Sequence, residues 1–363
     1  MKVCSIVGAR PQFIKAAVVS RALRARDGVS ETLIHTGQHY DDNMSSVFFE
    51  ELEIPEPDYN LAVQGGSHGE QTGRMLERIE RVLMDEKPDC VLVYGDTNST
   101  LAGALAAVKL HIPVAHVEAG LRSFNRTMPE EINRVLADRV AALLFAPTET
   151  AVHNLQREGV DPSIVHCVGD VMYDAALFYA RKAERASTIM PRLALEEKAY
   201  VLATIHRAEN TDNETRLQAL FDGLTRVAQH IRVVLPLHPR TRKRLADLAR
   251  ECVGKLMLID PVGYLDMVML ERNARLIATD SGGVQKEAYF YRVPCATLRA
   301  ETEWTELVQL GWNTLVPPES GKQVGDRVLG LLDAPRPAHH PALYGDGDAA
   351  SLIARHLIAF RQT

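Results

Sequence analysis

Cysteine is scarce in this chain of 363 residues, and long apolar runs are missing. The five cysteines are scattered and form no Cys-x-x-Cys pair, which argues against a disulfide framework and a thiolate zinc site. No apolar run approaches the ~20 residues that a membrane-spanning helix needs, and no apolar leader opens the chain. We therefore expect a cytoplasmic protein with reduced cysteines and no membrane partner.

An excess of positive charge is also absent. The 41 Lys and Arg residues stand against 47 Asp and Glu residues, a net charge of −6, so no general attraction to nucleic acid is expected. The 13 histidines form no His-x-x-x-His pair, and we predict no metal site. The dinucleotide fingerprint Gly-x-Gly-x-x-Gly and a complete Walker loop are missing too, which disfavours dinucleotide and ATP sites.

The length predicts two domains, at about 150 residues each. Short β-branched segments alternate with longer Ala- and Leu-rich segments of helical period, and the pattern begins again near residue 200. This predicts an α/β protein with two doubly wound parallel sheets facing a central cleft. We place the domains at 1–172 and 173–348 and expect a last helix within 349–363 to pack on the first domain. The predicted strands are 3–7, 32–35, 90–94, 114–117, 200–205, 233–237, 256–259 and 276–278.

Polar residues follow most of the predicted strands, at the sheet edge where open α/β proteins bind ligands. The most specific segment is 280–287. Ser281 can cap the following helix, and Gly282 and Gly283 allow the backbone to approach a diphosphate at the helix N-terminus. Glu287 is placed to accept hydrogen bonds from a ribose. The competing interpretation is an ordinary glycine-rich turn with a surface glutamate.

Cations and carboxylates follow the strands of the first half. Arg10 and Lys15 flank the start of the first helix, where they can face a diphosphate. Several carboxylates near one sugar would suit proton transfer, and crowding would raise the pKa of at least one of them. These carboxylates are Asp96, Glu118 and Glu130. Glu130 and its neighbour Glu131 also suit the first turn of a helix, where a carboxylate interacts favourably with the macrodipole.

Taken together, seven motifs resemble the non-hydrolysing UDP-N-acetylglucosamine 2-epimerase family. They are residues 8–15 (GARPQFIK), 36–39 (TGQH), 95–97 (GDT), 116–122 (HVEAGLR), 129–134 (PEEINR), 204–207 (TIHR) and 280–283 (DSGG). The resemblance spans essentially the whole chain. It implies a GT-B-like pair of Rossmann-type domains, usually a homodimer, that inverts C2 of a UDP-2-acetamido sugar without metal or nicotinamide cofactor.

The resemblance also implies a mechanism and a role for each site residue. UDP leaves C1 while a carboxylate takes the C2 proton, and the resulting glycal is reprotonated on its other face before UDP adds back. The acid and base candidates are Asp96, Glu118 and Glu130. The residues that stabilise the departing diphosphate are Arg10, Lys15 and His206. The residues that hold UDP are Ser281, Gly282, Gly283 and Glu287, with Met267 near the uracil.

Two departures from the UDP-N-acetylglucosamine members resemble the branch that acts on UDP-2,3-diacetamido-2,3-dideoxy-D-glucuronate, a precursor of bacterial surface polysaccharide such as O-antigen. The loop 122–130 is two residues shorter than usual. Residues 302–304 read TEW, where the family commonly has TER. Arg126 is our candidate for the sugar carboxylate, and Trp304 or Phe124 for the acetamido side. The alternatives are a UDP-N-acetylglucosamine 2-epimerase, a GT-B glycosyltransferase, a hydrolysing epimerase and a UDP-sugar sensor without catalysis.

Overall fold

The computed structural model describes residues 1–38, 53, 56–237 and 256–361, without the side chains of residues 10 and 361. The chain forms two compact units, Met1–Phe178 with Ala342–Thr363, and Tyr179–Pro341. The boundaries expected from the sequence, after residues 172 and 348, differ from these by a few residues. The first differs because one continuous helix, Val171–Ala186, carries the chain from the first unit into the second.

The first unit contains a parallel sheet of seven strands in the order β3-β2-β1-β4-β5-β6-β7. Its first six strands follow the Rossmann order, in which the direction of winding reverses between β1 and β4. The strands are β1 (Lys2–Val7), β2 (Ser30–His35), β3 (Tyr59–Asn60), β4 (Cys90–Tyr94), β5 (Val114–Val117), β6 (Leu143–Ala146) and β7 (Val165–Cys167). The helices are α1 (Arg10–Arg24), α2 (His68–Glu86), α3 (Asn98–Lys109), α4 (Pro129–Val140), α5 (Glu149–Arg157) and α6 (Val171–Ala186), with a 3₁₀ turn at Pro162–Ile164.

The second unit repeats this architecture with six parallel strands in the order β10-β9-β8-β11-β12-β13, reversing between β8 and β11. The strands are β8 (Tyr200–Thr204), β9 (Arg232–Pro236), β10 (Leu256–Ile259), β11 (Leu276–Thr279), β12 (Cys295–Thr297) and β13 (Asn313–Leu315). The helices are α7 (Ile189–Arg192), α8 (Ala208–Thr211), α9 (Glu214–Ala228), α10 (Tyr264–Asn273), α11 (Gly282–Phe290), α12 (Thr305–Gln309) and α13 (Gly321–Asp333). A last helix, α14 (Ala349–Arg361), belongs to the first unit.

The apolar runs of the central strands are explained by burial of both sheet faces. Along β8, Val201 and Ala203 join one apolar cluster, whereas Tyr200 and Leu202 join the other. Parallel sheets are covered by helices on both faces, so their strands lack a polar side. The two doubly wound α/β domains expected from the sequence are therefore confirmed.

Among the described residues, no helix is long and apolar enough to cross a membrane, and no group of three or more His, Cys, Asp or Glu side chains is arranged to hold a metal ion. The four cysteines within the described ranges are free thiols, three of them buried.

Asp174 on α6 holds the first turn of α14. Its carboxylate accepts hydrogen bonds from the backbone N–H groups of Ala349 at 3.2 Å and Ala350 at 2.8 Å. Burial nevertheless raises the pKa of Asp174 from 3.8 to about 6, and the nearby charges of Asp170 and Asp348 add to the rise. The folded protein therefore binds this proton more tightly than the unfolded chain does.

We expect Asp174→Asn to become more stable relative to wild type as pH rises. Between about pH 4 and pH 6 the folded state keeps a proton that the unfolded state releases, so the wild-type free energy of unfolding falls by about 3 kcal/mol across this window. The amide carries no such charge, so its contribution is independent of pH. Urea unfolding of both proteins at pH 4 to 7 checks this, and a stability difference that stays constant with pH would contradict it.

Candidate active site

In the first unit, Gln12 organises the loop between β1 and α1 at the point where the sheet reverses direction. Its side-chain oxygen accepts from the backbone N–H groups of Gly8 at 2.8 Å and Ala9 at 3.0 Å. Its amide nitrogen donates to the Tyr94 carbonyl at 2.7 Å and to the Thr100 hydroxyl at 3.0 Å. Gln12 thereby joins the start of α1 to the end of β4. The Arg10 side chain lies outside the described part of the structure.

Lys15 and Glu118 form an ion pair at this edge of the sheet, with side chains 8% and 9% exposed. A Cβ atom on Gly95 would lie 3.1 Å from the Glu118 carboxylate and 3.2 Å from the Lys15 ammonium. The ion pair therefore packs closely against the Gly95 backbone. Glu118 adopts a left-handed backbone conformation with φ of 72°, which is uncommon for a residue other than glycine and is concentrated at functional sites. Lys15, predicted to face a diphosphate, therefore contacts a carboxylate of its own unit.

Asp96 follows Gly95 and forms an ion pair with Arg134 of α4, while its side chain remains 30% exposed. The Asn133 side-chain amide donates to the Asp96 backbone carbonyl at 2.9 Å. Two consecutive residues of α4 thus hold Asp96 in place. Glu130, in the first turn of the same helix, is exposed.

Glu131 is buried and anchors the loop that precedes α4. Its carboxylate accepts from the backbone N–H groups of Ser123 at 2.9 Å and Phe124 at 3.0 Å, from the Ser123 hydroxyl at 2.9 Å and from Arg134 at 2.7 Å. Burial favours the neutral acid, but these hydrogen bonds and the Arg134 charge hold the pKa of Glu131 below its ordinary value. Of the two adjacent glutamates, Glu131 is therefore the one whose contacts indicate a structural role.

The loop anchored by Glu131 borders a cavity of about 700 Å³. Phe124 and Arg126 line it, together with Ile132 and Leu136 of α4. The backbone of Phe124 is strained, with a φ of 59°. Its large aromatic side chain lies on the surface and is 66% exposed. Arg126 is also exposed.

In the second unit, Asp280 directly follows β11, and its buried carboxylate holds the segment that follows β8. It accepts from the backbone N–H groups of His206 and Arg207 at 3.1 Å and from the Asn210 amide at 3.0 Å. His206 Nδ1 lies 3.1 Å from the same carboxylate, and the imidazole is 59% exposed. Although burial opposes it, the hydrogen bonds and charge of His206 keep the pKa of Asp280 below its ordinary value. Because Asp280 is ionised, Nδ1 is the donor and Nε2 is directed away from this pair.

The predicted diphosphate site is the N-terminus of α11. Ser281 caps this helix, its hydroxyl accepting from the Val284 N–H at 3.4 Å. The space beside Gly283 is open, since a Cβ atom there would have only the Ser281 hydroxyl within 4 Å, at 3.9 Å. The space beside Gly282 is instead filled by the Glu303 carboxylate, which is bound to Arg299 at 2.9 Å. An anion can therefore approach this helix end on the Gly283 side.

Three other predicted binding residues lie on helices of the second unit. Glu287 of α11 is 6% exposed and Met267 of α10 is half-buried. Trp304, at the start of α12, is 4% exposed, and the Lys286 ammonium lies 4.3 Å from the centre of its ring. Only a small part of Trp304 can therefore contact a ligand in this conformation.

Comparison with known proteins decides the family. The sequence profile described as UDP-N-acetylglucosamine 2-epimerase matches residues 21–358. A Pseudomonas aeruginosa protein named UDP-2,3-diacetamido-2,3-dideoxy-D-glucuronate 2-epimerase is 51% identical over 98% of this chain and 99% of its own length. The chain belongs to the UDP-N-acetylglucosamine 2-epimerase family.

Solved structures of this epimerase family agree with the fold. The Methanocaldococcus jannaschii UDP-GlcNAc 2-epimerase in complex with UDP-GlcNAc and UDP is 46% identical, with a TM-score of 0.90 over 99% of this chain and 100% of that one. The Neisseria meningitidis UDP-GlcNAc 2-epimerase bound to UDP-GlcNAc is 32% identical, with a TM-score of 0.91 over 99% and 100%. The GT-B-like fold class and the isomerase class expected from the sequence are thus confirmed.

Several buried residues at the candidate site received no role from the sequence. They are Gln12, His116, Asp138 and Asp280, all with side chains in the buried part of the protein. One signal was available for Asp138, because it follows Glu131 by seven residues and therefore lies on the same buried face of α4. A charged residue on the core face of a helix indicates a buried partner.

Proposed function

We propose that this epimerase inverts C2 of a UDP-2-acetamido sugar by elimination and re-addition of UDP. In the first step a carboxylate takes the C2 proton, the C1–O bond breaks with its electron pair leaving on UDP, and a C1–C2 double bond forms. In the second step a carboxylic acid returns a proton to the opposite face of C2, and the UDP oxygen adds to C1. The two steps involve no net oxidation, so no redox cofactor is needed.

The observation that carries the proposal is the convergence of Asp96 and Glu118 beside Lys15 at the reversal point of the first sheet. General acid and base groups must approach the reacting atom closely, and both carboxylates are partly exposed at a ligand-binding edge. The ion pair with Lys15 holds the Glu118 carboxylate at this edge of the sheet. Glu130 is exposed on the helix that holds Asp96, and we assign it to the same proton transfers.

We assign the diphosphate to the N-terminus of α11, with Ser281, Gly282 and Gly283, and the ribose to Glu287. We place Met267 near the uracil. The open space beside Gly283 at the N-terminus of α11 supports this assignment. Arg10, Lys15 and His206 are proposed to stabilise the charge that grows on the departing diphosphate.

Removing the His206 imidazole should reduce kcat more than it raises KM. The negative charge of the diphosphate increases as the C1–O bond breaks, so a cationic donor contributes more in the transition state than in the substrate complex. His206→Ala and Arg10→Ala are both expected to behave in this way, whereas His230→Ala, a surface variant of the same unit, should match wild type. Steady-state kinetics distinguish the cases, and a change confined to KM would assign His206 to ground-state binding.

We propose UDP-2,3-diacetamido-2,3-dideoxy-D-glucuronate as the substrate and bacterial surface polysaccharide, such as O-antigen, as the destination of the product. The 51% identity to the Pseudomonas aeruginosa enzyme of that name supports this choice. UDP-N-acetylglucosamine is the second candidate, because the Methanocaldococcus jannaschii enzyme in complex with it is 46% identical. We assign Arg126 to the sugar carboxylate and Phe124 or Trp304 to the additional acetamido group.

We further propose a cytoplasmic homodimer. Ile132 and Leu136 lie one turn apart on α4 and are 49% and 43% exposed, and with Phe124 they form an apolar surface of the kind that marks interfaces. Light scattering on the purified protein should give twice the mass of one chain.

Incubation with each candidate UDP-sugar, followed by proton NMR of C1 and C2, tests the proposed activity. An epimerase converts the gluco form into a mixture with the manno form and retains UDP on the sugar. Accumulation of UDP with free sugar would indicate a hydrolysing enzyme, and UDP release only with an added acceptor would indicate a glycosyltransferase.

A further inference from the structure

His116 is a buried histidine at the carboxyl end of β5, and both of its ring nitrogens have acceptors. Nε2 lies 2.7 Å from the Gly95 carbonyl oxygen, and Nδ1 lies 2.7 Å from the Asp138 carboxylate. A carbonyl oxygen can only accept, so Nε2 donates to it. The side chains of His116 and Asp138 are 0% and 1% exposed, so neither contact is shared with solvent.

The Asp138 carboxylate is shared between His116 and Arg122. Arg122 donates to its second oxygen at 2.7 Å, and the side chains of Arg122 and Asp138 are each 1% exposed. Burial alone would favour the neutral acid, but His116 and Arg122 together hold the pKa of Asp138 below its ordinary value. The His116 ring therefore bridges a buried carboxylate and a backbone carbonyl group.

The His116–Asp138 pair joins the three segments that bear the proposed acid and base residues. The Gly95 carbonyl belongs to the peptide that leads into Asp96. The second oxygen of Asp138 accepts from the Gly120 N–H at 3.1 Å, two residues after Glu118. Asp138 itself lies on α4, the helix that begins with Pro129 and Glu130.

We propose that His116 and Asp138 are positioning residues for the proton transfers at C2, an inference that rests on the proposed function. They touch no reacting atom in this scheme. Instead they hold the turns after β4 and β5 and the helix α4 in one arrangement. Displacing a catalytic group by about 1 Å can cost ~10²-fold in rate.

Three variants separate positioning from simple stability. His116→Ala should lower kcat by ~10²-fold with KM and UDP affinity nearly unchanged, because the assigned UDP site lies in the second unit. His116→Gln should recover part of the loss, since its amide can donate to the Gly95 carbonyl. Glu158→Gln is the matched control, because the Glu158 carboxylate binds Arg122 at 2.7 Å in the same charged network. Its contact with Arg139 of α4 is made by the backbone carbonyl, which this substitution keeps.

Release of the glycal intermediate from the enzyme gives a further readout. If the returning acid is misplaced, glycal and UDP should escape more often per epimerisation in His116→Ala than in wild type, a change that lost stability alone does not produce. Asp138→Asn, which keeps the shape of the side chain, provides a second test should His116→Ala fail to fold. NMR of nitrogen-labelled histidine in the wild-type protein should show a proton on His116 Nε2, the nitrogen that faces the Gly95 carbonyl.

The outcomes distinguish this inference from the proposed function. Wild-type kcat in folded His116→Ala and Asp138→Asn would overturn the positioning role while the epimerase activity stands. Full activity in Asp96→Asn and Glu118→Gln would instead overturn the assignment of the carboxylates on which the positioning role depends.

Discussion

Asp96→Asn, Glu118→Gln and Glu130→Gln should each lose ~10²–10⁴-fold in kcat for epimerisation while still binding UDP. The amides retain the size of the carboxyl groups but cannot take or return the C2 proton. The Asp96 and Glu118 variants also lose an ion pair, with Arg134 and Lys15 respectively, so their folding should be checked by thermal unfolding. Initial rates and UDP titrations by calorimetry give the two quantities directly.

Glu77→Gln is the control for these three variants. Glu77 pairs with Arg81 on the exposed face of α2, and its loss changes charge without touching the sheet edge. We expect this control to keep wild-type kcat and UDP affinity. Wild-type turnover in all three carboxylate variants would show that proton transfer uses other groups.

The second large effect concerns substrate choice. UDP-2,3-diacetamido-2,3-dideoxy-D-glucuronate carries a carboxylate at C6 and a second acetamido group that UDP-N-acetylglucosamine lacks. A site built to pair a charged group leaves its partner unsatisfied with a neutral sugar, and such mismatches can discriminate by ~10⁴-fold. We expect kcat/KM for the diacetamido glucuronate to exceed that for UDP-N-acetylglucosamine by about this factor.

Arg126→Ala should reduce that preference by about 10- to 100-fold, the usual value of one charge-assisted hydrogen bond. Arg139→Ala is the matched control, since Arg139 lines the same cavity but donates to the Glu158 carbonyl. Comparable kcat/KM values for the two sugars in the wild-type enzyme would exclude the diacetamido glucuronate assignment and leave the epimerase activity intact.

Most of the buried strands were predictable because they carry an uninterrupted apolar run, as in β4, whose five residues are all buried. β6 is also apolar and buried throughout but was not among the predicted strands. The short strands were not predictable. β12 and β13 have three residues each, and such segments carry too little periodicity to be told from loops. The helical period of residues 43–52 predicts a helix there, but this segment lies outside the described residues.

The position of the candidate site residues was predictable where they closely follow strands, as for Glu118 after β5 and Ser281 after β11. It was not predictable where a side chain acts on a distant segment. His116 and Asp138 are 22 residues apart, and Asp280 acts on His206 74 residues earlier. Such pairs are fixed by the topology of the sheet, and a single sequence does not give which strand ends become neighbours.

Exchange at C2 in deuterium oxide tests the elimination mechanism most directly. The wild-type enzyme should produce the manno epimer with deuterium at C2, and the recovered gluco form should also gain deuterium as the reaction approaches equilibrium. Deuterium enters because the glycal is reprotonated by a carboxyl group that exchanges with solvent. Epimerisation with full retention of the original C2 hydrogen would contradict elimination and re-addition of UDP with a solvent-exchangeable acid.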